Sequence, residues 1–336
     1  MPGLNVAVFG ATGAVGVEMI KILEERDFPV RNLCLLASRG GRSMEWRGAQ
    51  TPVEAVGPSS FEGIDVALFA VEGSVSREWA PAAARCGAVV IDNSSAFRMD
   101  LEVPLVVPEV NPEDIARHKG IIANPNCSTI IALVALAPLH RAAGLTRLVA
   151  STYQAVSGAG KAGLEELERQ VQDYARGAAP VASAFPYPIA FNLIPHIDAF
   201  DEDDYTKEEL KMRNESRKIL HAPDLRVSCT CVRVPVLRSH SEALTAEMER
   251  PLSPDEAREI LKNAPGVKLL DDPAERLYPM PLYASDQDLI HVGRVRYDDS
   301  AAEGHKGLVL WVSGDQLRKG AATNAVQIAE IISKTR

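Results

Sequence analysis

Short apolar runs recur through the first third of the chain, at 5–9, 33–37, 66–70, 88–91 and 121–123. Between some of them the apolar residues return every three to four positions, as at Val17, Met19, Ile20, Ile22 and Leu23, and 76–85 also reads as helix. Continuous runs predict strands buried on both faces, and the longer period predicts helices packed against them. The alternation predicts an α/β fold built on a doubly wound parallel sheet.

The pattern then changes. Residues 130–136 form an apolar run that reads as a buried helix, and 148–154 reads as a strand. A polar helix is expected at 161–175 and a charged one at 205–220, where Glu208 and Lys211 share a face. The Ala- and Pro-rich stretch between them, 178–195, carries few charges and is expected to pack at a subunit interface. Residues 226–237 are β-rich, and period-two alternation would put Arg233 on one face with positions 235 and 237, with His240 ending that strand. Ser253, Pro254 and Glu256 mark a capped helix start. Strand-like runs follow at 268–270, 290–295 and 308–312, and 316–332 reads as a closing helix.

Glycines mark where chemistry could enter. The first strand runs directly into Gly10, Ala11, Thr12, Gly13, Ala14, Val15 and Gly16, then a helix. Strand, glycine turn and helix in that order suit a dinucleotide, because the backbone can approach a pyrophosphate whose charge the helix start receives. The second strand ends in Ser38, Arg39, Gly40, Gly41 and Arg42, with no acid to hold a ribose 2′-hydroxyl. A hydroxyl and two arginines in a glycine-rich loop suit a 2′-phosphate and favour NADP, with either arginine as the contact. Ligands bind such sheets at the carboxyl ends of strands. That places Gly73, Ser74, Arg98 and the stretch NPNCST at 124–129 as candidates. A second glycine-rich turn, 155–160, offers Ser157 and Gly158 as further candidate cofactor contacts. Small residues at 320–324, ending in Asn324, would permit close approach to another helix or to the cofactor.

Cys127 stands at the mouth of the apolar run at 130–136. A helix start favours a thiolate, the nucleophilic form. A thiol of pKa near 8.5 is only about 3% ionised at pH 7, and making most of it thiolate needs about 2.7 kcal/mol. A helix start supplies at most about 2 kcal/mol. A second group is needed, and a histidine is the expected one.

Composition narrows the class. The 336 residues suffice for two domains, and 46% hydrophobic with 24% charged residues is ordinary globular usage. A net charge of −9 argues against nucleic-acid or anionic-membrane surfaces. Neither a leader-like segment nor a bilayer-length apolar run is evident. Five scattered cysteines predict no disulfide framework, and although Cys229 and Cys231 would face one way, no second pair completes a zinc site. A cytoplasmic, metal-free enzyme is the expectation.

Seven separated stretches then agree. GATGAVG at 10–16, NSSAFR at 93–98, NPNCST at 124–129 and STYQAVSGAGKAG at 151–163 are followed by YTKEELKMRNES at 205–216, VRVPVLRSHSEALT at 232–245 and LRKGAATNAVQIAEII at 317–332. In this order they resemble the aspartate-β-semialdehyde dehydrogenase family over essentially the whole chain. The resemblance implies a Rossmann-like NADP-binding domain at 1–126, rejoined by a C-terminal helix at 315–336. It also implies an α+β catalytic and dimerisation domain at 127–314, like that of glyceraldehyde-3-phosphate dehydrogenase. The implied reaction is the reversible phosphorylating oxidation of L-aspartate 4-semialdehyde to 4-aspartyl phosphate, toward lysine, threonine and methionine, by a homodimer or dimer of dimers.

Carried over by position, Cys127 resembles the family's nucleophile, His240 its acid/base, and Gln154 the amide that orients the acyl intermediate. Arg233 resembles the clamp on the substrate carboxylate and Glu208 the acid that meets its amino group; Lys211, Arg98 and Asn126 resemble the phosphate site. Two places depart from the family's pattern: Glu72 stands where a glycine pair is usual, and the loop at 38–43 is short. N-acetyl-γ-glutamyl-phosphate reductase, a silent NADP-binding paralogue and a cysteine hydrolase are the rival readings; the first would leave Glu208 without an ammonium to meet.

Overall fold

A computed structural model describes residues 3–301 and 307–334 and divides into two compact units. One unit ends at Asn126 and resumes at Gly320; the other is Cys127–Lys319.

The first unit is a seven-stranded sheet. Its strands are β1 (Leu4–Phe9), β2 (Val30–Ala37), β3 (Arg42–Trp46), β4 (Ala49–Ala55), β5 (Val66–Phe69), β6 (Val89–Asp92) and β7 (Ile121–Ala123). They lie in the order β3-β4-β2-β1-β5-β6-β7, all parallel except the β3–β4 hairpin. The chain steps to one side of β1 for β2 and to the other for β5, so the turn after β1 lies at the topological switch point. Helices α1 (Ala14–Glu25) and α2 (Gly73–Arg85) cross over. A C-terminal helix, Thr323–Ser333, packs Ala325, Val326, Ile328 and Ala329 into the core shared by β1, β5 and α1. Residues 335 and 336 of the expected return, like 1 and 2 of the expected first domain, lie outside the described residues.

Several expectations are corrected here. The loop at 38–43 is shorter, because Arg42 opens β3, and the β3–β4 hairpin has no apolar run to announce it. Trp46 pairs with Ala49 across Arg47 and Gly48, both at positive φ (49° and 76°), which is the backbone a two-residue hairpin turn needs. Val17 faces solvent, one position off the stripe of Gly16, Met19, Ile20 and Leu23. Gly73 and Ser74 are not a loop but the first residues of α2.

The second unit is a six-stranded mixed sheet. It comprises β8 (Leu145–Gln154), β9 (Arg226–Arg233), β10 (His240–Met248), β11 (Val267–Leu269), β12 (Ile290–Tyr297) and β13 (Gly307–Gly314), in the order β11-β12-β13-β10-β8-β9. Helix α3 (Cys127–Ala143) lies against β10, β13, β12 and β8, and its apolar residues are buried all round. Helices α4 (Gly160–Ala175), α5 (Lys207–Ile219), α6 (Pro254–Lys262) and the short α7 (Pro281–Ala284) complete it. Thr206 with Glu209, and Ser253 with Glu256, form the reciprocal caps that start α5 and α6.

β9 stops at Arg233, so 235 and 237 are not strand positions, and His240 does not end that strand but opens β10. The closing helix is interrupted as well. Residues 318–322 form a wide π-type turn, and the stretch before it is fastened inside the second unit. Asp315 accepts from Arg238, Gln316 donates to Ser157 and accepts from the Ser239 N–H, and Arg318 pairs with Asp288. Hence the first unit resumes at Gly320 rather than 315.

Candidate functional site

In the first unit the glycine turn has the shape an anion requires. Gly10 is at φ +88°, with the Ala70 carbonyl where its side chain would be, and Gly16 lies equally close to the Gly10 carbonyl. Gly13 caps α1 without a side chain, leaving the first-turn N–H groups of Ala14, Val15 and Gly16 to receive an acceptor, with Thr12 exposed beside them. Ser38 and Arg39 are exposed after β2, and Arg42 is exposed at the start of β3. A dinucleotide fits this arrangement. Glu72 is exposed at the N-cap of α2, and Gly73 and Ser74 follow in its first turn.

At the carboxyl ends of β6 and β7 Arg98 is buried and tied to backbone, Nε donating to Asn124 O (3.0 Å) and Nη2 to Asn93 O (2.7 Å). Asn126, also buried, closes this stretch. Asn324, expected at the cofactor, spends its amide on Val106 O (2.9 Å) and Asn124 Oδ1 (2.6 Å).

The second unit gathers the other candidates. Strand register aligns Gln154 with Arg233 on one side, and on the other sets Tyr153 opposite Ser241, with His240 next to it in the chain. Thr152 Oγ1 donates to Gln154 Oε1 (2.9 Å), which turns the Gln154 amino group to Glu208 Oε1 (3.1 Å). Glu208 Oε2 accepts from Lys211 Nζ (2.9 Å), and Asp198 Oδ2 accepts from the same ammonium (2.8 Å). Far from a solvated surface pair, Glu208 is 6% exposed. The backbone of Ala155 holds two residues at once: its N–H donates to His240 Nδ1 (3.0 Å) and its carbonyl accepts from Arg233 Nη1 (2.7 Å). Gly158 makes this possible, because a Cβ there would stand 2.7 Å from Arg233 Nη1 and 3.3 Å from His240 Cε1. Ser157 accepts from Gln316. Cys127, half-buried, is the first residue of α3.

Electrostatics change one expectation. His240 is fully buried; burial first, and then the Arg233 guanidinium, push it down to about 3 against a lesser pull from Glu208. It is neutral at pH 7 and contributes no charge to a thiolate. One charge that Cys127 meets is that of Arg233, whose own ionisation is pulled down by burial and held up by Glu208, Cys127 and Cys231. With Nδ1 accepting a backbone N–H, the neutral ring carries its proton on Nε2. Burial opposes the charge of Lys211, but Glu208 and Asp198 outweigh it and push the ammonium upward. Glu242, two residues past His240 on the same face of β10, is pushed well up by burial, and among the described residues neither of its oxygens has a hydrogen-bond partner.

Asp198, Thr152 and Ala155 join the site beyond the residues the sequence motifs single out. Thr152 had a signal, being two residues before Gln154 on one strand face. Asp198 had none: it reaches Lys211 from a turn at φ +70°. All five cysteines are free thiols; Cys229 and Cys231 are buried with sulfurs 3.7 Å apart. Among the described residues no three His, Cys, Asp or Glu side chains converge as metal ligands, and no helix is long and apolar enough to cross a membrane.

Comparison with known proteins agrees in both units. Residues 5–118 match the family model for the semialdehyde dehydrogenase NAD binding domain, and 136–319 match that for the semialdehyde dehydrogenase dimerisation domain. The aspartate-semialdehyde dehydrogenase of Aquifex aeolicus is 54% identical, covering 99% of this chain and 98% of its own. That of Synechocystis is 50% identical over 98% and 97%. The crystal structure of aspartate semialdehyde dehydrogenase II from Vibrio cholerae matches with a TM-score of 0.96 and 47% identity over 99% of each chain; a second structure of that enzyme, complexed with ASA, matches equally well at 46% identity.

Proposed function

The chain belongs to the aspartate-semialdehyde dehydrogenase family, and from that premise we propose that it interconverts L-4-aspartyl phosphate and L-aspartate 4-semialdehyde plus phosphate through a thioester on Cys127. The observation that carries this reading is the Gln154–Glu208–Lys211 and Ala155–His240–Arg233 constellation around one sheet face. It offers an acid and a guanidinium for the two ends of a small zwitterion and an ammonium for phosphate.

Cys127 attacks the acyl phosphate, phosphate leaves toward Lys211, and the acyl group remains on sulfur. Arg233 keeps the thiolate charged and grips the substrate carboxylate, while Glu208 meets the ammonium. The Gly10–Gly16 turn would hold NADP, with Ser38 and either Arg39 or Arg42 for its 2′-phosphate, and the cofactor would supply the hydride when bound. His240 donates from Nε2 to the substrate oxygen as negative charge develops there, and expulsion of the thiolate then frees the aldehyde. A neutral donor suits this better than an imidazolium would, because thioester reduction and thiolate release need no net proton. Gln154, oriented by Thr152, borders the same space. We further read the protein as a homodimer of the cytoplasm; free thiols suit a reducing compartment.

Phosphate-dependent reduction of NADP+ with L-aspartate semialdehyde, with NAD+ and the N-acetyl-γ-glutamyl substrate in parallel, tests the reading. Reduction that ignores phosphate, or that prefers the N-acetylated substrate, would overturn it.

A further inference from the structure

Arg233 is 6% exposed, and among the described residues its guanidinium makes one hydrogen bond, to Ala155 O. One contact cannot fix the plane of a guanidinium, yet a two-pronged grip on a carboxylate depends on that plane. A second contact comes from the segment between α4 and α5: the Arg233 Cζ lies 5.8 Å from the centroid of the Phe185 ring. That is within the range at which a ring face attracts a guanidinium.

The ring is held in place by two buried side chains that take no part in the chemistry. Glu166 of α4 accepts at Oε2 from the N–H and hydroxyl of Ser183 (2.9 and 2.8 Å) and from the N–H of Ala184. Burial alone would push its acid up, but these donors and the Phe185 N–H outweigh that and hold it below its ordinary value. One turn on, Gln170 donates to Glu166 Oε1 (2.8 Å) and Val181 O (3.1 Å) and accepts from the N–H groups of Ile189 and Ala190 (2.8 and 2.9 Å). Together they clasp the segment on both sides of Phe185. Space for the ring comes from Gly163, where a Cβ would stand 3.0 Å from Phe185 Cζ. Phe185 also packs against the cluster of Val156, Leu167, Ile189, Ala190 and Ile194. A buried carboxylate, a buried amide and a glycine thus converge on one half-buried ring.

We propose that Phe185 is a positioning residue for Arg233: its ring, seated by the Glu166–Gln170 clasp and Gly163, orients the guanidinium that grips the α-carboxylate of the substrate. This rests on the assignment of Arg233 as that grip. The ring therefore sets selectivity for substrates with a free α-carboxylate and leaves the phosphate site untouched.

The test is steady-state kinetics of the full-length protein with Phe185→Leu, Phe185→Tyr and Arg233→Leu, following phosphate-dependent NADP+ reduction. Phe185→Leu raises KM for L-aspartate semialdehyde about fivefold, equivalent to about 1 kcal/mol. It leaves KM for phosphate unchanged, and Phe185→Tyr, which keeps a ring, restores the wild-type value. Equal KM values in wild type and Phe185→Leu would overturn the proposal, as would a Tyr variant that behaves like Leu or a matching rise in KM for phosphate. Arg233→Leu separates the two layers. If it leaves KM for the semialdehyde unchanged, the assignment of Arg233 fails; if it raises that KM while Phe185→Leu does not, only the role of Phe185 fails. Glu166→Gln, which keeps the shape but weakens acceptance from three loop donors, shifts KM in the same direction by less.

Discussion

The two units bury different things. Strand β5 and residues 89–91 of β6 in the first are buried with apolar side chains, and the polar groups enclosed nearby, such as Asp92, Asn124, Asn324 and Arg98, are tied to backbone or to neighbouring polar side chains. The second unit buries Gln154, Glu208, Arg233, His240 and Glu242 around one sheet face, and His240, Arg233 and Glu242 are driven away from their ordinary ionisation. A nucleotide can be held by backbone N–H groups, which need only glycine and a helix start. Acyl transfer needs charges and donors already aimed at the reacting atoms, and taking them out of water shifts their pKa values. The unit that binds can resemble an ordinary core. The unit that reacts cannot.

The sharpest way to break this contrast is Cys127→Ala. Turnover falls by on the order of 10⁴-fold or more, while NADPH binding, measured by fluorescence titration, is unchanged because the turn at Gly10–Gly16 belongs to the other unit. Gly158→Ala comes next. A methyl 2.7 Å from Arg233 Nη1 displaces that side chain and His240 together, at a cost of about 10²-fold in kcat/KM. In the first unit either Arg39→Leu or Arg42→Leu raises KM for NADPH about tenfold with little change for NADH; an equal change for both cofactors in both variants would remove the 2′-phosphate contact.

Two pH measurements have smaller effects. His240 has a folded pKa of about 3, below its unfolded value of about 6.5. Its neutral form therefore stabilises the fold above pH 6.5, and that contribution is lost as pH falls from 6.5 toward 3. Denaturant midpoints of His240→Asn should decline less over that window than those of wild type, and kcat of wild type should show no limb near pH 6.5 from this ring. Glu242 has the opposite sign. Its folded pKa is raised, so the protein loses stability as pH climbs above the unfolded carboxyl range. Glu242→Gln should be the more stable protein at pH 7.5, with the gain vanishing near pH 4. An unchanged midpoint at pH 7.5 would mean that Glu242 is solvated.

What was legible follows from how local each signal is. The runs at 66–70 and 121–123, the Gly10–Gly16 turn and the Ser253 cap depend on residues that are neighbours in the chain, so period and turn chemistry reveal them. The β3–β4 hairpin escaped because its residues are mostly polar and exposed, and its turn is Arg47–Gly48 rather than Asn–Gly. The β-rich run at 226–237 points to His240 as a strand end, whereas the chain turns after Arg233 and reaches His240, the start of β10, through Ser239 at φ +72°.

By itself the sequence determined the alternation that makes the first sheet, the glycine turn and helix start that suit a dinucleotide, and the residue types an acyl transfer requires. Tertiary structure alone decided that one residue's backbone, that of Ala155, holds both His240 and Arg233, that Asp198 and Glu208 share Lys211, and that His240 is neutral. The reason is desolvation. A side chain's type is written in the chain, but its charge depends on how much water folding removes from it and which distant charges replace that water, and neither is a property of neighbouring residues.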